Sequence, residues 1–183
     1  MGNTDKIKLF DKTFKPFIRH EELMKAIDAV AEKINADYRG CEDIPVLLCV
    51  LNGSIPFCGE LLQRLDFNLQ VISIKLSSYS GTRSSGKVMN VTGLTGSVKG
   101  RRVIICEDIV DTGNTIVALK DILVGEGASD VKVCTMLTKP SVYCKPDKLD
   151  YVAMEIPDAF IVGFGLDYDE IGRNLKDIYV IDE

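Results

Sequence analysis

Histidine occurs once in this chain, at His20. A single copy excludes a multi-histidine metal centre and leaves little room for a Ser-His or Cys-His nucleophile pair. His20 stands in a polar run just before a helical pattern, where a surface residue is expected. The six cysteines include no C-x-x-C, so neither a zinc site nor a dithiol redox pair is indicated. Cys49, Cys106 and Cys134 lie in apolar runs, where a thiol serves as a small hydrophobe; Cys41, Cys58 and Cys144 are scattered. A G-x-x-x-x-G-K-[ST] loop is missing, which removes the nucleoside-triphosphatase reading of an acidic strand end. No segment approaches the roughly 20 apolar residues that span a bilayer. The first residues, Met1 to Lys6, lack the apolar core of a signal peptide. A cytoplasmic chain with no membrane partner is therefore expected. The net charge of −5 lacks the basic surplus of a nucleic-acid surface, so no nucleic-acid partner is expected. Small phosphorylated ligands remain open, because a local cup and a metal can hold them. There is no internal repeat and no low-complexity tract. Any chemistry must come from carboxylates, Lys, Arg, backbone dipoles and a metal.

What is present suffices for one sizeable core. With 183 residues, 46% of them hydrophobic, a single domain is expected. Residues 21–38 place Leu23, Ala26, Ile27, Val30 and Ile34 on one helical face. Val46 to Leu51 reads as a buried strand, Asn52-Gly53-Ser54 as a turn, and the stretch carrying Phe57, Leu61, Leu62 and Leu65 as a helix. Leu69 to Leu76 is a strand by alternation. Residues 77–87 are polar and hydroxyl-rich, and read as a long loop; one this long in a compact domain is commonly an active-site lid, although a plain linker fits the composition. Val88 to Leu94 reads as a short strand, Val131 to Leu137 as a longer one. Residues 140–158 carry three prolines and no long periodic run. Phe160 to Phe164 and Ile178 to Ile181 read as strands. The alternation of strand and helix predicts an α/β fold, a mostly parallel twisted sheet flanked by helices. Its ligand is expected at the carboxyl edge of the sheet.

The densest chemical signal is residues 103–115, Val-Ile-Ile-Cys-Glu-Asp-Ile-Val-Asp-Thr-Gly-Asn-Thr. Val103 to Cys106 reads as a buried strand, with Glu107 and Asp108 where it ends. Asp111-Thr112-Gly113-Asn114-Thr115 forms a turn, and Ile116, Leu119 and Leu123 open a helix. Hydroxyls, a bendable glycine and the free N–H groups of a helix N-terminus are the parts of a phosphate cradle. Carboxylates beside a phosphate make sense if the ligand also brings sugar hydroxyls and a divalent cation. An ordinary helix cap by Asp111 or Thr112 is the plainer reading.

This stretch resembles the signature of the type I phosphoribosyltransferases, which have a Rossmann-like core under a small hood lobe. From about residue 45 onward the chain resembles one branch, the hypoxanthine phosphoribosyltransferases. Leu51-Asn52-Gly53-Ser54, Ser78-Tyr79 and the 103–115 signature carry the likeness. So does a C-terminal pattern of Lys139-Pro140-Ser141, Ile156-Pro157-Asp158, Val162 to Tyr168 and Arg173. The resemblance implies one domain over 1–183, with a core of about 21–140. The hood would come from the N-terminal arm and about 141–183. It implies transfer of a phosphoribosyl group from phosphoribosyl pyrophosphate to a 6-oxopurine, giving IMP or GMP, by a Mg²⁺-dependent homodimer or homotetramer.

The resemblance also implies roles. Asp111 is the general base, and Ser78 and Tyr79 belong to the closing lid. Glu107 and Asp108 bind the ribose. Asp111, Thr112, Gly113, Asn114 and Thr115 hold the 5′-phosphate, and Asn52, Gly53 and Arg173 the pyrophosphate. Lys139, Phe160, Ile161 and Asp167 surround the purine, and Glu107, Asp108 and Asp167 face the metal. Read as residues alone, Asn-Gly is commonly a plain turn, Lys139 a solvent lysine and Phe160 a core aromatic. Asp167 and Arg173 alone would be a surface ion pair of little energetic weight. Family members often carry Lys or Arg where this chain has Asn52, so a side-chain cation is missing there. Gly53 is expected for the dihedral freedom that a pyrophosphate loop needs.

Overall fold

The computed structural model describes residues 5–78, 89–146 and 148–182, with backbone alone for 76–78 and 89–92. The chain opens with β1 (Ile7–Leu9), β2 (Lys12–Ile18), α1 (His20–Tyr38), β3 (Val46–Leu51), α2 (Ile55–Leu62) and β4 (Gln70–Ser78). It continues with β5 (Met89–Thr92), β6 (Arg102–Val110), α3 (Asn114–Gly125) and β7 (Asp130–Thr138). It closes with β8 (Tyr151–Glu155), β9 (Ile161–Val162) and β10 (Ile178–Ile181).

β3 is apolar throughout because both of its faces are covered. Leu47 and Cys49 pack with α1 and α2, while Val46, Leu48 and Val50 pack with Ile116, Leu119 and Leu123 of α3. This is the period-2 alternation of a strand between two helical layers. The main sheet runs β5-β4-β3-β6-β7-β8. All its pairings are parallel except the antiparallel edge strand β5. The α/β expectation therefore holds. β4 reaches Ser78, so the polar stretch expected as loop from residue 77 starts inside a strand. β8 was not legible in the sequence, and it lies within the range expected for the hood. It nevertheless pairs with β7 in the main sheet.

From β3 the chain passes to β4 on one side, then crosses to β6 on the other. The segments that follow β3 and β6 thus diverge at a topological switch point, where open α/β sheets bind ligands. A second antiparallel sheet, β1-β2-β10-β9, joins the N-terminal arm to the C-terminal strands.

The thiols behave as expected of small hydrophobes. Cys49, Cys106 and Cys134 are register neighbours across β3, β6 and β7. All three are buried, and Cys58 packs in the same cluster. Burial pushes the Cys106 thiol up to about 11, which keeps it protonated and inert.

The second sheet is tied to α1 by Asp177, which is 4% exposed. Arg19 precedes α1 without a side-chain cap of its own. Asp177, just before β10, accepts the His20 N–H at 2.8 Å and the Arg19 Nη1–H at 3.1 Å. His20 is the first residue of α1, half-buried, with its ring centroid 6.2 Å from that of Phe164. It stays partly exposed, in keeping with the surface residue expected. Burial opposes ionisation of Asp177, but the His20 N–H and the Arg19 guanidinium outweigh it and hold the carboxyl below its ordinary value of 3.8. That stabilisation is complete above the ordinary value and is lost as the pH falls through the lower folded one. Asp177→Asn should cost about 1–3 kcal/mol at neutral pH. In thermal melts that is a drop of roughly 2–10 °C, and the gap between variant and parent should narrow as the pH falls below the ordinary value of 3.8.

Candidate active site at the switch point

β3 pairs with β6 from Val46↔Val103 to Cys49↔Cys106 and no further, while β6 stays paired with β7 to Val110↔Thr138. Glu107 and Asp108 therefore lie inside β6, not at its end as expected. They occupy the part of the strand that β3 has left.

Glu107 is 8% exposed. Its Oε1 accepts the Asp108 N–H at 3.3 Å. Its Oε2 is buried and has no hydrogen-bond partner among the described residues. Burial, then the adjacent Asp108 charge, raises its pKa well above the ordinary carboxylate range. A buried acceptor without a donor is costly. Glu107→Gln should stabilise the ligand-free protein by about 0.5–2 kcal/mol, in the pattern of a stability–function trade-off. It should also weaken binding of a sugar-phosphate ligand. Paired melts and binding titrations would measure both, and a variant with lower stability would count against an unsatisfied carboxylate.

Asp108 Oδ1 accepts the Ile109 N–H at 2.8 Å. Its Oδ2 lies over Gly53, where an added Cβ would come within 1.6 Å. Gly53 is not among the glycines with positive φ. Its role is space for Asp108, not the dihedral freedom expected from sequence. The Leu51–Asn52 peptide bond is cis.

After β6 the chain turns through Asp111 to Gly113, whose φ is +82 at the N-cap of α3. The Asn114 N–H donates to Thr112 Oγ1 at 3.4 Å. The first N–H groups of α3 lack intrahelical partners, as at every helix start. They open onto a cavity of about 200 Å³ lined by Glu107, Asp111, Thr112, Gly113 and Thr115. Asn114 faces the back of this cup, where its Oδ1 accepts from Lys145 Nζ. There Tyr143 and Lys145 crowd Gly113, and Cys144 Sγ donates to Thr112 O at 3.3 Å. This backing was missed from sequence; a Pro-bounded stretch without periodicity gave no signal for it.

Across the cavity, Lys139 follows β7 and is 9% exposed, not the solvent lysine of the plainer reading. Its Nζ donates to Asp158 Oδ1 at 2.9 Å and lies 4.0 Å from Asp111 Oδ2. Phe160 is 44% exposed, so it is not a core aromatic. The Phe14 and Tyr168 rings hold it, with centroids at 6.0 and 5.7 Å. Ile161 begins β9, which is an edge strand. The neighbouring Phe160 C=O accepts the Ile181 N–H at 3.0 Å. Backbone groups alternate in direction along an antiparallel ladder, so the N–H and C=O of Ile161 point away from β10, toward the open edge.

Arg173 Nη2 pairs with Asp167 Oδ1 at 2.6 Å, and Arg173 Nη1 donates to Gly165 O at 2.9 Å. Gly165 itself abuts the Gly53 carbonyl, which brings this hairpin against the segment after β3. Tyr79 lies outside the described residues, and for Ser78 only the backbone at the end of β4 is described.

Thus the segments after β3, β6 and β7 and the hairpin around Arg173 converge on one cleft. A model of the phosphoribosyl transferase domain matches residues 17–169. The chain belongs to the phosphoribosyltransferase family. It is similar to the hypoxanthine-guanine phosphoribosyltransferase of Lactococcus lactis, 40% identical over 176 residues, 95% of this chain and 94% of that protein. The enzyme of the same name from Streptococcus thermophilus is 37% identical over 177 residues, covering 96% and 97%. A crystal structure of a hypoxanthine phosphoribosyltransferase from Staphylococcus aureus superposes with a TM-score of 0.84 at 30% identity, covering 92% of this chain and 91% of that one.

In this member of the family, no group of three His, Cys, Asp or Glu side chains among the described residues could hold a metal. The expected set of Glu107, Asp108 and Asp167 is therefore not a ready-made cage. Asp167 is turned to Arg173 and accepts the Glu170 N–H at 2.9 Å. The unpartnered Glu107 oxygen and neighbouring Asp108 fit a divalent cation that shares its other ligands with a phosphorylated sugar, the usual habit of Mg²⁺. Among the described residues, no helix is long and apolar enough to cross a membrane.

Proposed function

We propose that this chain transfers the 5-phosphoribosyl group from phosphoribosyl pyrophosphate to hypoxanthine and guanine, releasing pyrophosphate and giving IMP and GMP, in cytoplasmic purine salvage. The observation that carries this reading is the unpartnered buried carboxylate of Glu107 on the wall of the cup at the start of α3. A ligand with hydroxyls and a phosphate a few ångströms apart satisfies both.

The N–H groups and hydroxyls of Thr112 to Thr115 bind the 5′-phosphate, aided by the helix dipole. Glu107 and Asp108 take the ribose hydroxyls. Asn52, Gly53 and Arg173 receive the pyrophosphate; with Asn52 uncharged, Arg173 supplies the side-chain cation. Phe160 stacks on the purine, the backbone of Ile161 meets its edge, and Asp167 closes that side through Arg173. Lys139 donates to the 6-oxo group. A 6-amino group would present donors to a donor, which disfavours adenine. Asp111 accepts the proton of the purine ring nitrogen as the new C–N bond forms and the C1′–O bond to pyrophosphate breaks. Glu107 and Asp108 would hold Mg²⁺ together with the donor, and the bound ion would supply charge neutralisation for the leaving pyrophosphate. Ser78 and Tyr79 close over the site and exclude water. The main-sheet core, β8 included, and a hood built from the N-terminal arm, β9 and β10 act as one domain in a homodimer or homotetramer.

Turnover with phosphoribosyl pyrophosphate and Mg²⁺, offered hypoxanthine, guanine, xanthine and adenine separately, tests this. Formation of IMP and GMP with adenine inert is expected. No turnover of any base, alongside nucleotide binding, would overturn it.

A further inference from the structure

The ammonium of Lys139 sits between two carboxylates at unequal distances. Asp158 Oδ1 is at 2.9 Å and Asp111 Oδ2 at 4.0 Å. The first is a hydrogen bond; the second is too long to be one. Lys139 is nearly enclosed, whereas the Asp158 and Asp111 side chains are 64% and 51% exposed. Among the described residues, Lys139 pairs with these two acids, one from the segment before β9 and one from the turn after β6. A lysine has a flexible four-carbon stem and a point charge, so nothing in the side chain itself fixes which acid it meets.

We infer that Asp158 is a positioning residue: it holds the Lys139 ammonium off Asp111 and aims it at the purine's exocyclic oxygen. This rests on the reaction proposed above. An ammonium has three N–H donors. With one committed to Asp158, two remain for a ligand, and the Asp111 oxygens stay free to accept a proton. Without Asp158, Lys139 swings the remaining distance onto Asp111. A hydrogen-bonded ammonium makes a carboxylate a weaker base, and it withdraws the donor from the base. Both losses come from one movement of about 1 Å, the scale of misplacement that costs up to about 100-fold in rate. Asp158 also lines the open cavity beside Phe160, so it borders the purine slot without being needed for the bond change.

Asp158→Ala and Asp158→Asn separate this from a structural role. In the Ala variant kcat/KM for hypoxanthine should fall about 10- to 100-fold, and discrimination against adenine should narrow. Affinity for phosphoribosyl pyrophosphate and the melting temperature should hardly move. Asn, which keeps an acceptor, should recover part of the loss. The Asp111 carboxyl, followed by NMR titration, should titrate lower in the Ala variant than in the parent. Unchanged kcat/KM, or a loss shared equally by donor binding and stability, would overturn the inference. If the parent turns over no 6-oxopurine, the reaction reading fails. The Asp111 titration then still decides the geometry, because an unmoved carboxyl would show that Asp158 does not govern Lys139.

Discussion

Asp111→Asn should lower kcat by about 10²- to 10⁴-fold, the usual worth of a positioned general base, while phosphoribosyl pyrophosphate affinity changes only a few-fold. Asn preserves the size and hydrogen-bonding ability of the side chain but cannot take a proton at neutral pH. In the proposed reading the phosphate is held mainly by other groups, the N–H groups at the start of α3 and the hydroxyls of Thr112 and Thr115; both threonines share the cavity wall with Asp111. Lys139 is hydrogen-bonded to Asp158, not to Asp111, so its proposed contact with the base should not be disturbed in this variant. Single-turnover rates and equilibrium donor titrations would separate the two effects. Equal losses in both would mean that Asp111 is a binding residue and that the proton goes elsewhere.

The second large effect is expected at a residue that carries no functional group. Gly165 has φ +99, and a Cβ there would stand 1.8 Å from the Gly53 carbonyl oxygen and 3.1 Å from Pro56 Cδ. Both the dihedral and the contact oppose any side chain, and the first obstacle is backbone, which cannot rotate aside. Gly165→Ala should cost about 2–4 kcal/mol and lower the melting temperature by roughly 5–15 °C. The pyrophosphate side should suffer most. Gly165 donates its N–H to Arg173 O at 3.0 Å and accepts from the Arg173 side chain at 2.9 Å, so pushing it away displaces Arg173 together with the Asn52–Gly53 segment. Pyrophosphate affinity should fall at least tenfold, a difference of about 1.4 kcal/mol, and nucleoside monophosphate binding much less. Gly53→Ala makes a useful contrast. Its clash is with the end of the Asp108 side chain, which can turn away, so function should drop with little loss of stability. An unchanged melt and unchanged pyrophosphate affinity in Gly165→Ala would show that the hairpin and the segment after β3 do not constrain each other.

The two glycines show where sequence reasoning stopped. The motif around Gly53 marked a loop, but the reason for the glycine is Asp108, 55 positions further on, and no local pattern contains that contact. Asp158 was visible only as part of Ile156-Pro157-Asp158, with no role attached, because its partner Lys139 follows β7 while Asp158 precedes β9. β8 was missed for a related reason. A short edge strand of five residues between prolines has too few periods to register, and it exists because β7 offers a free edge for pairing.

The sequence by itself determined the layers and the chemistry. Apolar runs flanked by amphipathic stretches dictate a parallel sheet between helices, since those surfaces must be buried. The Glu-Asp pair followed by Asp-Thr-Gly-Asn-Thr sets acids beside a helix start, where N–H groups are exposed wherever it occurs. Tertiary structure decided everything that depends on distance between segments. It left Glu107 buried without a partner, set Lys139 nearer to Asp158 than to Asp111, and turned Asp167 to Arg173 in place of a three-carboxylate cage. Local propensity is written in neighbouring residues. Burial, pairing and proton affinity are properties of space, and they exist only once the crossover at β3 and β6 has brought these strand ends together.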